Sequence, residues 1–261
     1  MNLFFKTKQS SVTVILTVYK RNNLNEQLNA LLNQTQPPEA IWVLHYENWF
    51  PIHKRSDKKT SIRYFDCDVN LKYFGRFSLA IHATTTYVWV LDDDIIPSAT
   101  WIETCLQASE QHHSIVCSNG RIIPPQDYQP EKPKGNDYLE RYFIGDIRSS
   151  ATSINSCVAD TRVDFGCCSY FFKTEWARHF WAIWPKTFAT GEDMHLAATC
   201  KLLGDVNVVV PRQTSLANSG NIKPDYGVDE EASWRKKDFI SSREEVLRFL
   251  IKDKKWKPMH W

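Results

Sequence analysis

No C-x-x-C pair occurs among the seven cysteines of this 261-residue sequence, and their number is odd. Adjacent Cys167 and Cys168 would also be difficult to bridge. We therefore expect neither a disulfide scaffold nor a structural zinc site, and we predict reduced thiols in a reducing compartment. The apolar patch at residues 3–5 is too short for a signal peptide or a membrane span. These absences predict a soluble, cytoplasmic protein.

The sequence also lacks a strong charge of one sign. It has 32 Lys and Arg against 30 Asp and Glu, which gives a net charge of +2. A general nucleic-acid binder would show a stronger basic bias, so we expect no nucleic-acid partner. The hydrophobic fraction of 43% is ordinary for a globular protein. There is no internal repeat, and we predict one domain over residues 1–261.

Apolar strands alternate with helical patterns in the first half of the chain. Residues 12–17 (VTVILT) are β-branched and apolar, as in a strand buried on both faces. Leucines then recur at helical spacing between residues 24 and 32, after a predicted capping box of Asn23 and Glu26. Further strands are predicted at residues 41–44, 62–65 and 87–91. This order predicts an α/β protein with a mainly parallel sheet.

The second half of the chain is less regular. Four prolines in residues 124–137 predict a surface loop. Residues 163–172 are strand-like, with Gly166 either as a bulge or as a point of close approach to a ligand. A helix is predicted over residues 191–203, a strand over 206–210 and a loop over 212–233. Ser242 and Glu245 predict a capping box for a final helix.

Three consecutive aspartates, Asp92, Asp93 and Asp94, directly follow the apolar segment YVWVL. If the segment stays extended, Asp92 and Asp94 face the same side. Carboxylates so close repel one another, and a divalent cation such as Mg²⁺ or Mn²⁺ removes that penalty. Ligands bind at the carboxyl ends of strands in open α/β sheets, which is where the triplet falls. The alternative is a solvated turn or an acidic helix start.

A second acidic pair, Glu192 and Asp193, begins a predicted helix. Free amides and the helix dipole favour negative charge there, so simple capping is one interpretation. The other is catalytic: Asp193 takes a proton from an acceptor hydroxyl while Glu192 orients the acceptor. His195 is expected to pack or to form hydrogen bonds, with a metal role left open.

Four segments, in order, resemble the family 2 glycosyltransferases, which have a GT-A fold. They are VTVILTVYKRNN (residues 12–23), YFGRFSLAIHATTTYVWVLDDDIIP (73–97), VDFGCCSYFF (163–172) and TGEDMHLAATCKLLGD (190–205). The resemblance implies a Rossmann-like, mixed but mainly parallel sheet flanked by helices. It also implies a nucleotide-binding half over residues 1–100 and an acceptor-binding half over residues 101–261.

The resemblance implies roles for several residues at the nucleotide end. Thr17, Tyr19 and Arg21 would meet the nucleotide. Family members place an acidic residue after the second strand for the base or ribose, and only Glu47 fits here. Arg76 matches a basic residue near the diphosphate, although it also fits a solvated helix charge.

The same resemblance implies the chemistry. Asp92 and Asp93 would contact the donor, Asp92 and Asp94 would hold Mn²⁺ or Mg²⁺, and Asp193 would be the base of an inverting enzyme. The expected reaction moves a sugar from a nucleotide-diphosphate donor, with UDP-sugar favoured, to a glycan or other hydroxyl acceptor.

Three alternatives stay open. A retaining GT-A enzyme would carry the same triplet. A nucleotidyltransferase is disfavoured, because no glycine-rich phosphate loop follows VTVILT. A non-catalytic nucleotide-sugar or glycan-binding protein would keep the fold.

The basic, tryptophan-containing tail at residues 252–261 either contacts the acceptor, the nucleotide phosphates or a membrane surface, or is a frayed end packed by Trp256. Most of Trp176, Trp181 and Trp184 are expected in the core, with sugar stacking as the alternative.

Overall fold

The computed structural model describes residues 10–123, 143–144 and 157–261, with backbone alone at residues 143–144. The predicted loop at residues 124–137 and the apolar patch at residues 3–5 lie outside the described residues. All seven cysteines are free thiols, as predicted. In the part of the chain that the structure describes, no helix is both long and apolar enough to cross a bilayer.

Eight strands form one mixed sheet in the order β3-β2-β1-β4-β10-β5-β11-β8. Strands β3, β2, β1 and β4 are mutually parallel, β10 is antiparallel to β4 and β5, β11 is parallel to β5, and β8 is antiparallel to β11. These strands are β1 Val12–Val18, β2 Ala40–Tyr46, β3 Ser61–Cys67, β4 Tyr87–Leu91, β5 Ser114–Val116, β8 Thr161–Val163, β10 Ser169–Lys173 and β11 Asn207–Val210. The predicted α/β class with a large, mainly parallel sheet is confirmed.

The central strands β1 and β4 are apolar because helices cover both faces of the sheet. Alternate residues enter different cores: Ile15 and Val90 pack on one side, while Leu16 and Trp89 pack on the other, all with no solvent exposure. This arrangement explains why the two segments are uninterrupted apolar runs and not alternating patterns. The helices are α1 Leu24–Leu32, α2 Gly75–Ala80, α3 Trp101–His112, α4 Ala177–Ala182, α5 Glu192–Gly204 and α6 Phe239–Arg248.

Two predicted helix caps are wrong. Asn23 makes no side-chain cap; its amide instead donates to the main-chain oxygen of Asp93 at 3.0 Å. The final helix begins at Phe239, so Ser242 lies inside its first turns, where its N–H donates to the Asp238 carbonyl at 3.0 Å. In the first case a distant partner displaced the local one, and in the second the helix simply starts earlier.

The predicted strand over residues 163–172 divides into three short strands. Between β8 and β10, β9 (Phe165–Cys167) joins a second, antiparallel sheet with β6 (Asn119–Arg121) and β7 (Phe143–Ile144). A Cβ at Gly166 would lie only 1.9 Å from the Cys117 sulfur. Glycine therefore permits close packing of β9 on the protein itself.

Candidate active site

The aspartate triplet forms a turn at the carboxyl end of β4. The chain leaves the extended conformation at Asp92, whose carbonyl accepts the N–H of Ile95 at 3.3 Å. Gln27 of α1 donates to the main-chain oxygens of Asp92 and Ile95, at 2.7 and 3.1 Å. The expected extended backbone is therefore not found: residues 92–95 form a turn, whose main-chain oxygens are held by Gln27 of helix α1.

Two arginines form hydrogen bonds with the three carboxylates of the triplet. Arg21 donates to Asp93 at 2.7 Å and to Asp94 at 3.2 Å. Arg76 is 3% exposed and donates to Asp92. Arg76 is thus a buried ion-pair partner of the triplet, and the interpretation of it as a solvated helix charge is wrong.

The carboxylate of Asp94 lies in a buried and acidic environment. Burial, followed by repulsion from Asp92 and Asp93, raises the pKa of Asp94 to about 7. One of its carboxylate oxygens, Oδ1, is buried and has no hydrogen-bond partner. Among the described residues, no group of three or more Asp, Glu, His or Cys side chains is arranged to hold a metal ion. The hard oxygen donors and the orphaned Oδ1 nevertheless fit the needs of Mg²⁺ or Mn²⁺.

A segment from late in the chain crosses the triplet. Residues 220–235, here called the strap, run over the ends of β1 and β4. Gly227 has φ +77°, and a Cβ there would lie 2.2 Å from Asp94 Oδ2. Asp229 accepts two hydrogen bonds from Arg21, both 2.7 Å, and Glu231 accepts two from Lys20, at 3.1 and 2.9 Å. The sequence predicted only a loop here.

Glu192 and Asp193 lie at the start of α5, behind Gly191 with φ +82°. Both are buried. Burial, and then the charge of Asp193, raise the pKa of Glu192 to about 8. Glu192 Oε1 lies 3.5 Å from Arg76. Arg76 therefore contacts both the triplet and the acidic pair, although 100 residues of sequence separate Asp92 from Glu192.

Asp193 has a partner that the sequence analysis missed. Arg243 of α6 donates a hydrogen bond to each oxygen of the carboxylate, from Nη1 to Oδ1 at 3.0 Å and from Nη2 to Oδ2 at 2.7 Å. Its sequence neighbourhood (SSREEVLRF) is an ordinary amphipathic helix, so no local signal distinguishes it. His195 instead packs in the core and bonds to the Phe180 carbonyl at 2.8 Å, as expected for a structural histidine.

The remaining nucleotide-binding candidates lie along the carboxyl ends of β1 and β2. Thr17 is in register with Leu44, and Tyr19 packs on Trp49 with a centroid distance of 5.4 Å. Glu47 is exposed, with φ 54°. The structure places these residues at one edge of the sheet together with Arg21. Among the residues described, no hydrogen bond or ion pair joins Glu47 to the triplet.

The predicted core packing holds for some of the tryptophans and for part of the tail. Trp176 is buried and Trp181 is partly buried, whereas Trp184 is 71% exposed and packs on Phe188. Core packing thus holds for two of the three. In the tail, Trp256 is buried, so this end packs on the protein.

A small apolar cleft, of about 50 Å³, adjoins the acidic pair. Its wall includes Phe165, Met194, Phe239 and Arg243. Met194 directly follows Asp193, so the cleft lies next to the candidate base.

Comparison with known proteins agrees with this architecture. A sequence model described as glycosyl transferase family 2 matches residues 13–173, more than half of the chain. The chain therefore belongs to glycosyl transferase family 2, and its mixed, mainly parallel α/β sheet is a GT-A fold. Members of this family transfer a sugar from a nucleotide-sugar donor to an acceptor.

One solved structure similar to this chain is the crystal structure of S. aureus TarS 1-349. The two share 15% sequence identity with a TM-score of 0.43. The match covers 78% of this chain and 58% of that one. No curated protein matches the sequence.

Proposed function

We propose that this enzyme transfers a sugar from a UDP-sugar to a hydroxyl group of a glycan or another acceptor, with a divalent cation and with inversion at the anomeric carbon. The observation that supports this most is the position of Arg76. It touches Asp92 at the donor-side triplet and Glu192 beside the candidate base. Two acidic segments far apart in sequence thus belong to one site.

We assign the donor to the edge where β1, β2 and β4 end. Thr17, Tyr19 and Glu47 lie toward the nucleoside, and Arg21 lies toward the diphosphate, because a guanidinium fork suits phosphate oxygens. Asp93 helps to orient Arg21. Residues 1–100 then form the nucleotide-binding half and residues 101–261 the acceptor-binding half of one cytoplasmic domain.

The carboxylates that would hold Mn²⁺ or Mg²⁺ are Asp92 and Asp94. A divalent cation bound there supplies positive charge that stabilises the departing diphosphate. The protein supports this role by keeping Asp94 Oδ1 free of other partners. Arg76 holds Asp92 in place and adds a fixed positive charge beside the same region.

Asp193 is the proposed general base. As the acceptor oxygen forms its bond to the anomeric carbon, the bond from that carbon to the diphosphate oxygen breaks, and its electron pair leaves with the nucleotide. Asp193 receives the hydroxyl proton. Glu192 orients the acceptor, and its raised pKa lets it donate a hydrogen bond near neutral pH. Attack from the face opposite the leaving group inverts the configuration.

A thermal-shift panel tests the donor assignment. UDP-, GDP-, ADP- and CDP-sugars are added singly, each with Mn²⁺ and with EDTA. We expect UDP-sugars with Mn²⁺ to raise the melting temperature most, because a ligand that binds only the folded state stabilises it. Release of UDP from the best donor, and the anomeric configuration of the product, then distinguish an inverting enzyme from a retaining one or a binding protein. No shift with any donor would contradict the proposal.

The strap leads to a separate prediction. Asp229→Asn is expected to tighten UDP binding by roughly two- to fivefold, because a half-exposed carboxylate no longer competes with the diphosphate for Arg21. Isothermal titration calorimetry with UDP and Mn²⁺ measures the change. Asp225→Asn, at an exposed position in the strap, is the matched control and should leave the affinity unaltered. Weaker binding in Asp229→Asn would show that Asp229 supports the donor site.

A further inference from the structure

Arg243 holds the carboxylate of Asp193 in a two-point contact. The two guanidinium nitrogens Nη1 and Nη2 bond to Oδ1 and Oδ2 separately, at 3.0 and 2.7 Å. The side chains are 16% and 6% exposed, so water competes little for either group. A parallel fork of this kind determines the plane of the carboxylate as well as its position.

The guanidinium is itself held in place by aromatic rings. It lies 5.6 Å from the ring centroid of Phe165 in β9 and 5.3 Å from that of Phe239 in α6. Cation–π contacts from two different elements leave the group little freedom to rotate. Arg243 is therefore a rigid contact for Asp193.

Helix α6 is anchored at the same place by an apolar contact. A Cβ at Gly191 would lie 2.8 Å from Val246 Cγ1, so the side chain of Val246 packs directly on the residue before the acidic pair. Val246 is one turn from Arg243, on the same side of the helix. The last helix thus contacts the start of α5 through one apolar and one ionic contact.

The hydrogen bonds to Asp193 leave one acceptor site of its carboxylate unused. A carboxylate offers about four lone-pair sites. Oδ1 accepts Arg243 Nη1 and, at 2.8 Å, the N–H of Met194, whereas within the described part of the chain Oδ2 accepts only Arg243 Nη2. One lone pair of Oδ2 therefore stays available. Orientation by Arg243 and the Met194 amide determines which lone pair that is.

We infer that Arg243 is a positioning residue, which acts on transfer by fixing the plane of the Asp193 carboxylate and presenting one lone pair of Oδ2 to the acceptor hydroxyl. This inference rests on the proposed role of Asp193 as base. It assigns a function to the last helix, which the family match at residues 13–173 does not include.

A double-mutant cycle tests the inference, with Asp193→Asn, Arg243→Met, the double variant and the wild type. The rate measured is release of UDP from the donor selected by the thermal-shift panel, with water as the acceptor where none is known. We expect Arg243→Met to lower kcat by about 10- to 100-fold with little change in the donor KM. The double variant should be no slower than Asp193→Asn, because Arg243 acts through that side chain.

Two further variants separate positioning from stability. Arg243→Lys keeps the charge and should fold. A single ammonium group cannot bind both carboxylate oxygens as the guanidinium does, so this variant should recover only part of the wild-type kcat. Arg248→Met, on the exposed side of the same helix, is the control and should match the wild type. UDP affinity of each variant confirms that the donor site is intact.

The outcomes distinguish this inference from the proposed function. If Asp193→Asn is inactive while Arg243→Met and Arg243→Lys keep the wild-type kcat, the positioning role is wrong and the base assignment stands. A double variant whose loss is the product of the two single losses would also overturn it. If Asp193→Asn keeps full activity, the base assignment itself fails.

Discussion

Asp193→Asn is expected to lower kcat by about 100- to 10,000-fold, the usual contribution of a general base. An amide has nearly the same shape as a carboxylate but does not accept the proton of an attacking hydroxyl. Its oxygen still accepts hydrogen bonds from Arg243 or Met194, so the start of α5 should keep its position. Donor binding should be preserved, because the Arg21 side of the site is untouched.

The measurement combines the steady-state rate of UDP release with the UDP dissociation constant for each protein. Asp205→Asn is the matched control, since Asp205 lies at the opposite end of the same helix and its side chain is 88% exposed. It should retain the wild-type rate. A variant Asp193→Asn that keeps most of the activity would contradict the base assignment, and the neighbouring Glu192 would then be the next residue to test.

Asp94→Ala is expected to reduce kcat/KM by at least about 100-fold, as loss of a major electrostatic stabiliser does. Unlike Asp193→Asn, this change should also remove the enhancement of UDP binding by Mn²⁺. The reason is that the proposed cation would bind together with the diphosphate, so loss of a carboxylate ligand should weaken the binding of both. Asp92→Ala should act in the same direction and additionally leave the buried Arg76 with Glu192 as its remaining acidic partner among the described residues.

Calorimetric titration of UDP with Mn²⁺ and with EDTA checks this result. Asp68→Ala is the control, because Asp68 follows β3 at the same edge of the sheet but is exposed. The Asp94→Ala variant should bind UDP equally in Mn²⁺ and EDTA. If Mn²⁺ still strengthens its UDP binding as in the wild type, Asp94 is not a metal ligand.

The two expected results differ because the proposed site has a donor side and an acceptor side. Arg76 lies between them, in contact with Asp92 and Glu192. A buried arginine stabilises acidic groups on both sides, whereas its loss would leave the partly buried Asp92 and the buried Glu192 without their partner. Substitution of Arg76 is therefore expected to affect folding, donor binding and turnover together. The carboxylate variants report on the chemistry more directly.

Much of the fold is encoded in short stretches of sequence. The segments VTVILT and YVWVL are apolar at every position except threonine, and both proved to be central parallel strands covered on both faces. The position of Asp92–Asp94 at a strand end followed from the same local pattern. So did the start of α5 at Glu192, where a glycine precedes two acidic residues. Uninterrupted apolar runs and acidic helix starts are properties of neighbouring residues, which a sequence displays directly.

The partners of the polar side chains were decided only by the tertiary structure. The side chain of Asn23 bonds to Asp93 and does not cap its own helix, Arg21 contacts Asp229 from 208 residues away, and Arg243 contacts Asp193 from 50 residues away. Long polar side chains bond to whichever groups packing brings within about 3 Å, and that depends on the docking of whole elements. The sequence thus determined which residues carry the charges, while the packing of α1, α6 and the strap determined which charges meet.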